Sequence, residues 1–483
     1  MDKKSVKQKS IVYNSIFNVI YQLLNVIFPF ITSMYVSHVL EADGVGKVAY
    51  AQNIVSYFTT LAPLGVISYG VKEIAKTRGN QEQRNKCFSE LFLINIFSTT
   101  AFVLMYYSII SQMEIFSSEK NLYYICGSLI ILNYINVDWF YQGIEEYGYI
   151  TLRSSIIKVI ALITLVTFVK NKNDYILYAL ISNLAIGGNY IFNIIHIRKF
   201  VRLQWENIQL KRHIKPELIL AFNILLSNIY SKVDITMLGV LKSEAVVGYY
   251  SNAFKIVNMI LCACLAITDV LLPRLSYSYQ NNKKMYSNMI NTGLEIICFI
   301  IIPTTIGLNL IAEVMIPLLF GDTFRPAILT VMVLSPLILI KGFGNLACYQ
   351  VAISSGNEKK QTIAYSIGGI LNIILNIILI PQFCQNGAAI ASVVSELSLN
   401  LIILVLLKDI VDIRISLKYI KSIIISSLIM GIVVEIILIL TTHTIISCIF
   451  AVVAGMITYI ITGYIMKNKI ILYAFTKIIK NDN

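Results

Sequence analysis

Apolar residues along this chain come in runs of about 18–25 broken by short polar stretches, the length that crosses a hydrocarbon core as an α-helix. Fourteen spans can be drawn, at roughly 11–37, 47–71, 88–110, 121–141, 151–169, 175–196, 216–239, 247–273, 288–318, 327–350, 362–380, 387–407, 419–440 and 446–466. With 483 residues, each span has about 34 to itself, so the loops are short. The pattern predicts an all-α polytopic membrane protein. The first run, from Ile11 to about Val36, exceeds a signal-peptide h-region and lacks a small-residue cleavage site, so it is expected to be an uncleaved first span.

A weak internal repeat organises the spans. Val45-Gly46-Lys47-Val48-Ala49-Tyr50-Ala51-Gln52-Asn53-Ile54-Val55 lines up with Val247-Gly248-Tyr249-Tyr250-Ser251-Asn252-Ala253-Phe254-Lys255-Ile256-Val257, with five of eleven positions identical. The two segments open the second and eighth spans, an even spacing of six, so the halves keep one orientation and form a parallel pseudo-repeat. Chance similarity between helix starts is the alternative. The expected domains are an N-terminal six-helix bundle (1–197), a basic cytoplasmic linker (198–215), a second six-helix bundle (216–408), and two extra helices with a cytoplasmic tail (409–483).

Composition agrees with the pattern. Hydrophobic residues make up 57% of the chain and charged ones 13%, about half the roughly 25% of an average soluble domain. Mean hydropathy is +0.73. The net charge of +13 fits cytoplasmic loops obeying the positive-inside rule better than nucleic-acid binding. Starting from a cytoplasmic N-terminus, the cytoplasmic segments hold 30 Lys and Arg, the opposite loops about 6, and three (Lys232, Lys255, Lys341) fall inside spans. Both termini are therefore expected to be cytoplasmic.

Several chemistries are excluded or unsupported. Gly44-Val45-Gly46-Lys47 lacks the upstream glycine and following hydroxyl of a P-loop, so no ATPase of that kind is built in. The eight cysteines contain no C-x-x-C, and Cys262 and Cys264 point to different helix faces. His38, His196, His213 and His443 are scattered and read as surface or interfacial residues rather than metal ligands. The short outward loops carry no D-x-D and no credible catalytic centre, and no cofactor is implied.

What remains is charge inside the spans, where ionisable groups are costly and mark pathways by default. Lys232, Asp234, Lys255, Asp269, Lys341, Glu396 and Glu435 lie there. Lys232, Lys255 and Lys341 are placed to line an aqueous cavity between two bundles and suit an anionic ligand such as phosphate or pyrophosphate. The alternative is internal pairing with Asp234 or snorkelling to an interface. Asn14, Asn18, Gln22 and Asn25 in the first span, and Asn223, Ser227, Ser231 and Asp234 in the seventh, share the spacing 4, 4, 3. Each set is one polar stripe that must face protein or water. Amides suit sugar hydroxyls, and they equally serve as interhelical glue. Asp138-Trp139 marks a span end, with Trp139 expected as an interfacial anchor and Asp138 as a gate paired with a loop arginine.

The chain resembles the Wzx-type polysaccharide (O-antigen or capsule) repeat-unit flippases. The matching segments are Gly46 onward, Tyr69-Gly70-Val71-Lys72-Glu73-Ile74-Ala75-Lys76-Thr77-Arg78, Asp138-Trp139-Phe140-Tyr141-Gln142-Gly143, Asp234-Ile235-Thr236-Met237-Leu238-Gly239 and Val247-Gly248-Tyr249-Tyr250. Pro317-Leu318-Leu319-Phe320-Gly321, Ile380-Pro381, Gly387-Ala388-Ala389-Ile390 and Ser395-Glu396 complete the set, in family order over roughly 10–410. The resemblance implies the multidrug/oligosaccharidyl-lipid/polysaccharide exporter fold, MATE-like, with two six-helix bundles around a cavity plus two C-terminal helices. It also implies a substrate, an undecaprenyl-pyrophosphate-linked oligosaccharide moved between leaflets of the bacterial plasma membrane. A polymerase and a chain-length regulator of the same pathway become expected partners. Asn14, Asn18, Gln22, Asn223, Lys232, Lys255 and Lys341 are then the expected substrate residues, and Asp234, Glu396 and Asp138 those of coupling or gating. The alternatives are a lipid II flippase, a drug exporter of the same superfamily, and a membrane glycosyl polymerase.

Overall fold

A backbone in lipid must satisfy its own N–H and C=O groups, so apolar spans of this kind close into helices. The computed structural model describes residues 11–410, 413–441 and 444–473, without the side chains of 11–13, 15, 16, 223 and 267. Helix is the only regular structure among the described residues, and eleven helices there are long and apolar enough to cross a membrane. Contacts divide the chain into two units between Gly239 and Val240.

The first unit begins with α1 (Ile11–Leu61), whose 51 residues would run about 77 Å if straight. It is two helices joined at Glu41, which takes φ 56° and ψ −171°. The Glu41 carboxylate meets Lys172 at 2.7 Å. α2 (Val66–Lys76) starts from Gly65, whose φ of 84° is left-handed and open to glycine without a steric penalty. A Cβ there would also lie 2.5 Å from the carbonyl oxygen of Glu217. α3 (Gln81–Gln112) is capped by Asn80, whose side chain accepts from the Gln83 amide. Then follow α4 (Lys120–Leu132), α5 (Asp138–Gly143), α6 (Tyr147–Phe168), α7 (Tyr175–His196) and α8 (Lys211–Leu241). Ahead of α7, Asp174 accepts from the backbone N–H groups of Lys170 and Asn171 at 2.9 and 2.8 Å. Those bonds hold its carboxyl below the usual carboxylate range.

The aromatic core of this unit forms where α2 meets α5. Gly70 lies so close to Trp139 that a Cβ would sit 2.5 Å from the indole, and Trp139 stacks on Phe88 with centroids 5.5 Å apart. Trp139 is 1% exposed, its indole N–H donating to the Asn136 carbonyl. The interfacial-anchor expectation therefore fails: the ring fills the core, and its polar edge is satisfied by backbone rather than by headgroups. Arg78 closes the junction, with Nε donating to Gly143 O at 2.6 Å and Nη1 2.8 Å from Glu145.

The second unit comprises α9 (Glu244–Asp269), α10 (Leu272–Asn281), α11 (Lys283–Phe320), α12 (Ala327–Leu334), α13 (Pro336–Gly344), a π-helical turn (Asn345–Gln350), α14 (Val351–Ser354), α15 (Glu358–Leu406), α16 (Leu417–Leu440) and α17 (Ile445–Ile465). α15 resembles α1 in being two helices joined at a kink, at Cys384 with φ 50° and ψ −130°. α16 and α17 dock on α11: Tyr459 donates to Phe299 O at 2.8 Å, and Tyr419 to Glu295 O at 2.8 Å.

Fourteen drawn spans and eleven helices differ at three places, each with a physical reason. The first and second drawn spans share α1, and the eleventh and twelfth share α15, because in each the break is one residue of non-helical backbone. The fourth drawn span is broken into α4, a 3-10 turn and α5 by Asn133–Ile135 and the extended Asn136.

Candidate functional site

Charge enters the interior of the first unit on α3, α6 and α8, and α6 contributes Arg153 and Lys158. Arg153 is 7% exposed, and its Nη2 lies 3.2 Å from Asp138 Oδ1. Its Nε donates to Asn189 Oδ1 at 3.0 Å, and Asn193 Nδ2 also donates to Asp138. The guanidinium lies 5.5 Å from the Tyr149 ring centre, a cation–π contact. The carboxylate thus receives a cation and an amide, and the arginine engages Nε and Nη2 while its buried Nη1 has no hydrogen-bond partner among the described residues. Asp138 pairs with an arginine, though one on a helix rather than the loop arginine expected.

Lys158 lies one and a half turns further along α6 and is also 7% exposed. Its ammonium donates to Asn25 Oδ1 at 2.6 Å and sits 5.8 Å from the Phe28 ring centre. It has no carboxylate partner among the described residues. An amide and a ring solvate an ammonium without neutralising it.

A second polar cluster ties α3 to the start of α8. Glu90, with no exposed side-chain surface, accepts from Arg212 Nη2 at 2.5 Å and meets His213 Nε2 at 3.0 Å. His213 Nδ1 faces the Tyr69 hydroxyl at 3.0 Å. His213 is 2% exposed, which corrects its reading as a surface residue: Glu90 and Tyr69 occupy both ring nitrogens. One turn on, both carboxyl oxygens of fully buried Glu217 have no hydrogen-bond partner.

The residues singled out by sequence fall on both units. Asn14 donates to Glu145 Oε2 at 3.2 Å, joining the α2–α5 junction. Asn18 is half-buried and Gln22 and Asn25 are exposed; the Asn223 side chain lies outside the described residues. Ser231 turns back to the Ser227 carbonyl at 3.0 Å. Lys232 is half-buried with no ion pair among the described residues, and Asp234 is 5% exposed. In the second unit Lys255 donates to Asn252 Oδ1 at 3.2 Å. Lys341 and Glu396 meet at 3.4 Å, with Glu396 buried. Asp269 accepts from Asn345 and Gln350, both at 3.4 Å, and Glu435 is exposed.

Sequence reasoning missed Arg153, Lys158, Glu90 and Glu217. The signal for the first two was there: both fall inside the drawn span 151–169, yet the loop count leaves them among the cytoplasmic charges. Moving them inward preserves the loop bias and adds two cations to the interior.

Apolar helices joined by short loops, with ionisable groups held inside them, define a multi-pass membrane protein of the transporter type. The fold matches a solved structure of the lipid II flippase MurJ in an inward closed conformation, with TM-score 0.76, 16% identity and 95% of this chain and 100% of that one covered. It also matches an inward-facing MATE-family multidrug transporter, at TM-score 0.65 and 12% identity over 85% of this chain and 98% of that one. The chain belongs to the polysaccharide biosynthesis protein family, whose model matches residues 11–278. A putative O-antigen transporter of Escherichia coli (strain K12) is 23% identical over 407 residues, covering 82% of this chain and 96% of that protein. A probable low-salt glycan biosynthesis flippase, Agl15 of Haloferax volcanii, is 24% identical over 169 residues, 34% of this chain and 35% of that one.

Proposed function

We propose that this protein is a flippase that carries a lipid-linked oligosaccharide repeat unit from the inner to the outer leaflet of a bacterial plasma membrane. The observation that carries the reading is the alignment over 96% of the length of a putative O-antigen transporter, joined to membership of a polysaccharide biosynthesis family. No covalent chemistry is required: the head group crosses through water while its prenyl tail stays in lipid. Both termini are cytoplasmic in this reading, as the excess of Lys and Arg on one side requires.

The anionic linkage, an undecaprenyl pyrophosphate, is neutralised by lysines that the protein leaves unneutralised. Lys158 and Lys232 in the first unit and Lys255 in the second have no carboxylate partner among the described residues. Holding a lysine at mid-membrane costs about 2.5–3.5 kcal/mol, so three uncompensated ones are accounted for by an anion that arrives with the substrate. Asn14, Asn18, Gln22, Asn25 and Asn223 offer amides to sugar hydroxyls. Alternating access carries the head group across, with Asp138 as gate and Asp234 and Glu396 as coupling carboxylates. Lys341 acts through its pair with Glu396. An ion gradient, the membrane potential or consumption of the product supplies the drive, and a polymerase and chain-length regulator act on it next.

The test is export of surface polysaccharide in a strain deleted for its own repeat-unit flippase. Expression of this chain should restore the polymer whose repeat unit it accepts. Lys232→Ala and Lys255→Ala should insert normally and lose export. Wild-type polymer from both variants would overturn the basic-residue account.

A further inference from the structure

Away from the spans discussed so far, the second unit has a cavity of about 490 Å³ where α10 meets the first turns of α11. Its polar lining is Arg274, Asn282, Lys284, Asn288 and Thr292; Met289 and Ile296 are among its apolar lining residues. No acidic residue lines it, and neither Arg274 nor Lys284 has an ion pair among the described residues. Lys283, by contrast, is engaged over the Tyr279 ring at 5.1 Å. The site thus sets two cations without ion pairs beside two amides and a hydroxyl, with thioether and alkyl chains in the same wall.

α10 explains why the site sits at a membrane surface. It is a ten-residue helix between two long apolar ones, burying Leu275 and presenting Tyr277 at 71% exposure. An exposed tyrosine on a short helix between spans is the composition of the headgroup layer. Basic pockets between spanning helices at that depth take the phosphates of lipids, with the acyl chain following the apolar wall.

We infer that this cavity binds the phosphate group of a membrane lipid. Two lipids share that chemistry, an anionic phospholipid and the prenyl diphosphate carrier; the second rests on the flippase reading, the first does not. Arginine gives the paired, planar donors that suit phosphate oxygens, and lysine adds a mobile point charge.

The experiment is native mass spectrometry of the full chain, titrated separately with phosphatidylglycerol, undecaprenyl diphosphate and inorganic pyrophosphate. Arg274→Gln or Lys284→Gln should each weaken lipid binding about 5-fold, and the double variant about 30-fold. The exposed control Lys359→Gln should bind as wild type, and the charge-keeping Arg274→Lys should retain binding if the effect is charge rather than misfolding. Loss of phosphatidylglycerol binding alone supports the inference with a structural lipid as occupant and tells against the carrier there. Loss of undecaprenyl diphosphate binding, alone or with the other, supports it with the carrier. Lipid binding by the double variant equal to wild type, or binding of pyrophosphate without either lipid, would overturn it.

Discussion

Arg153 and Lys158 lie on the same helix at the same 7% exposure, yet their surroundings differ in kind. Arg153 is matched by Asp138 and by the amide of Asn189; Lys158 has Asn25 and the Phe28 ring. A buried charge whose opposite is built in belongs to the architecture, because removing either member strands the other in a low dielectric. A buried charge without its opposite is a cost the fold carries for something that arrives from outside. The second unit has the same contrast: Lys341 is matched by Glu396, and Lys255 only by Asn252.

The largest effect that can break this comparison is at Arg153. Arg153→Ala should destabilise by about 3–5 kcal/mol, read as lost yield and a lower melting temperature in detergent. Adding Asp138→Asn should recover much of that loss, whereas a double variant no better than Arg153→Ala would show that the pair is not the cause. Gly70→Ala comes next. It drives a methyl into Trp139 and should cost about 1–3 kcal/mol by overpacking, loosening the α2–α5 junction that precedes Asp138. Lys341→Met removes the cation that pairs with buried Glu396, but Lys341 is 29% exposed, so a loss of about 1 kcal/mol is expected from the melting temperature.

The smallest effect concerns Asp174. Its bonds to two backbone amides lower its proton affinity in the folded loop, so the stability they lend is present above the ordinary aspartate pKa of about 3.9. It is lost as pH falls through the lowered folded value. Hydrogen exchange at the Lys170 and Asn171 amides should therefore accelerate only in strong acid. Acceleration already at pH 6 would contradict the assignment.

The architecture was readable from the sequence because span length and apolar content are set by the bilayer and appear in any window of about 20 residues. The α2–α5 junction was readable as two motifs, Tyr69–Arg78 and Asp138–Gly143, though not as one structure in which Gly70 seats Trp139. Pairing was hidden. Lys158 finds Asn25 at a separation of 133 residues and Glu90 finds His213 at 123, and no local pattern reports such distances. Trp139 and His213 were misread for the same reason, since an amphipathic residue near a span end looks interfacial until its partner is known. The breaks at Glu41 and Cys384 were readable, since both fall between drawn spans, but that each is a single residue at positive φ was not, because neither residue type is a usual signal for it.

The central claim is that unneutralised lysines await an anionic head group, and Lys158 tests it most directly. Lys158→Met should leave the melting temperature of the purified protein unchanged or slightly higher, since a desolvated cation has been removed. The same variant should export polysaccharide at least about 10-fold more slowly, the size of one charge-assisted phosphate contact. Wild-type export from a stably folded Lys158→Met protein would contradict the account.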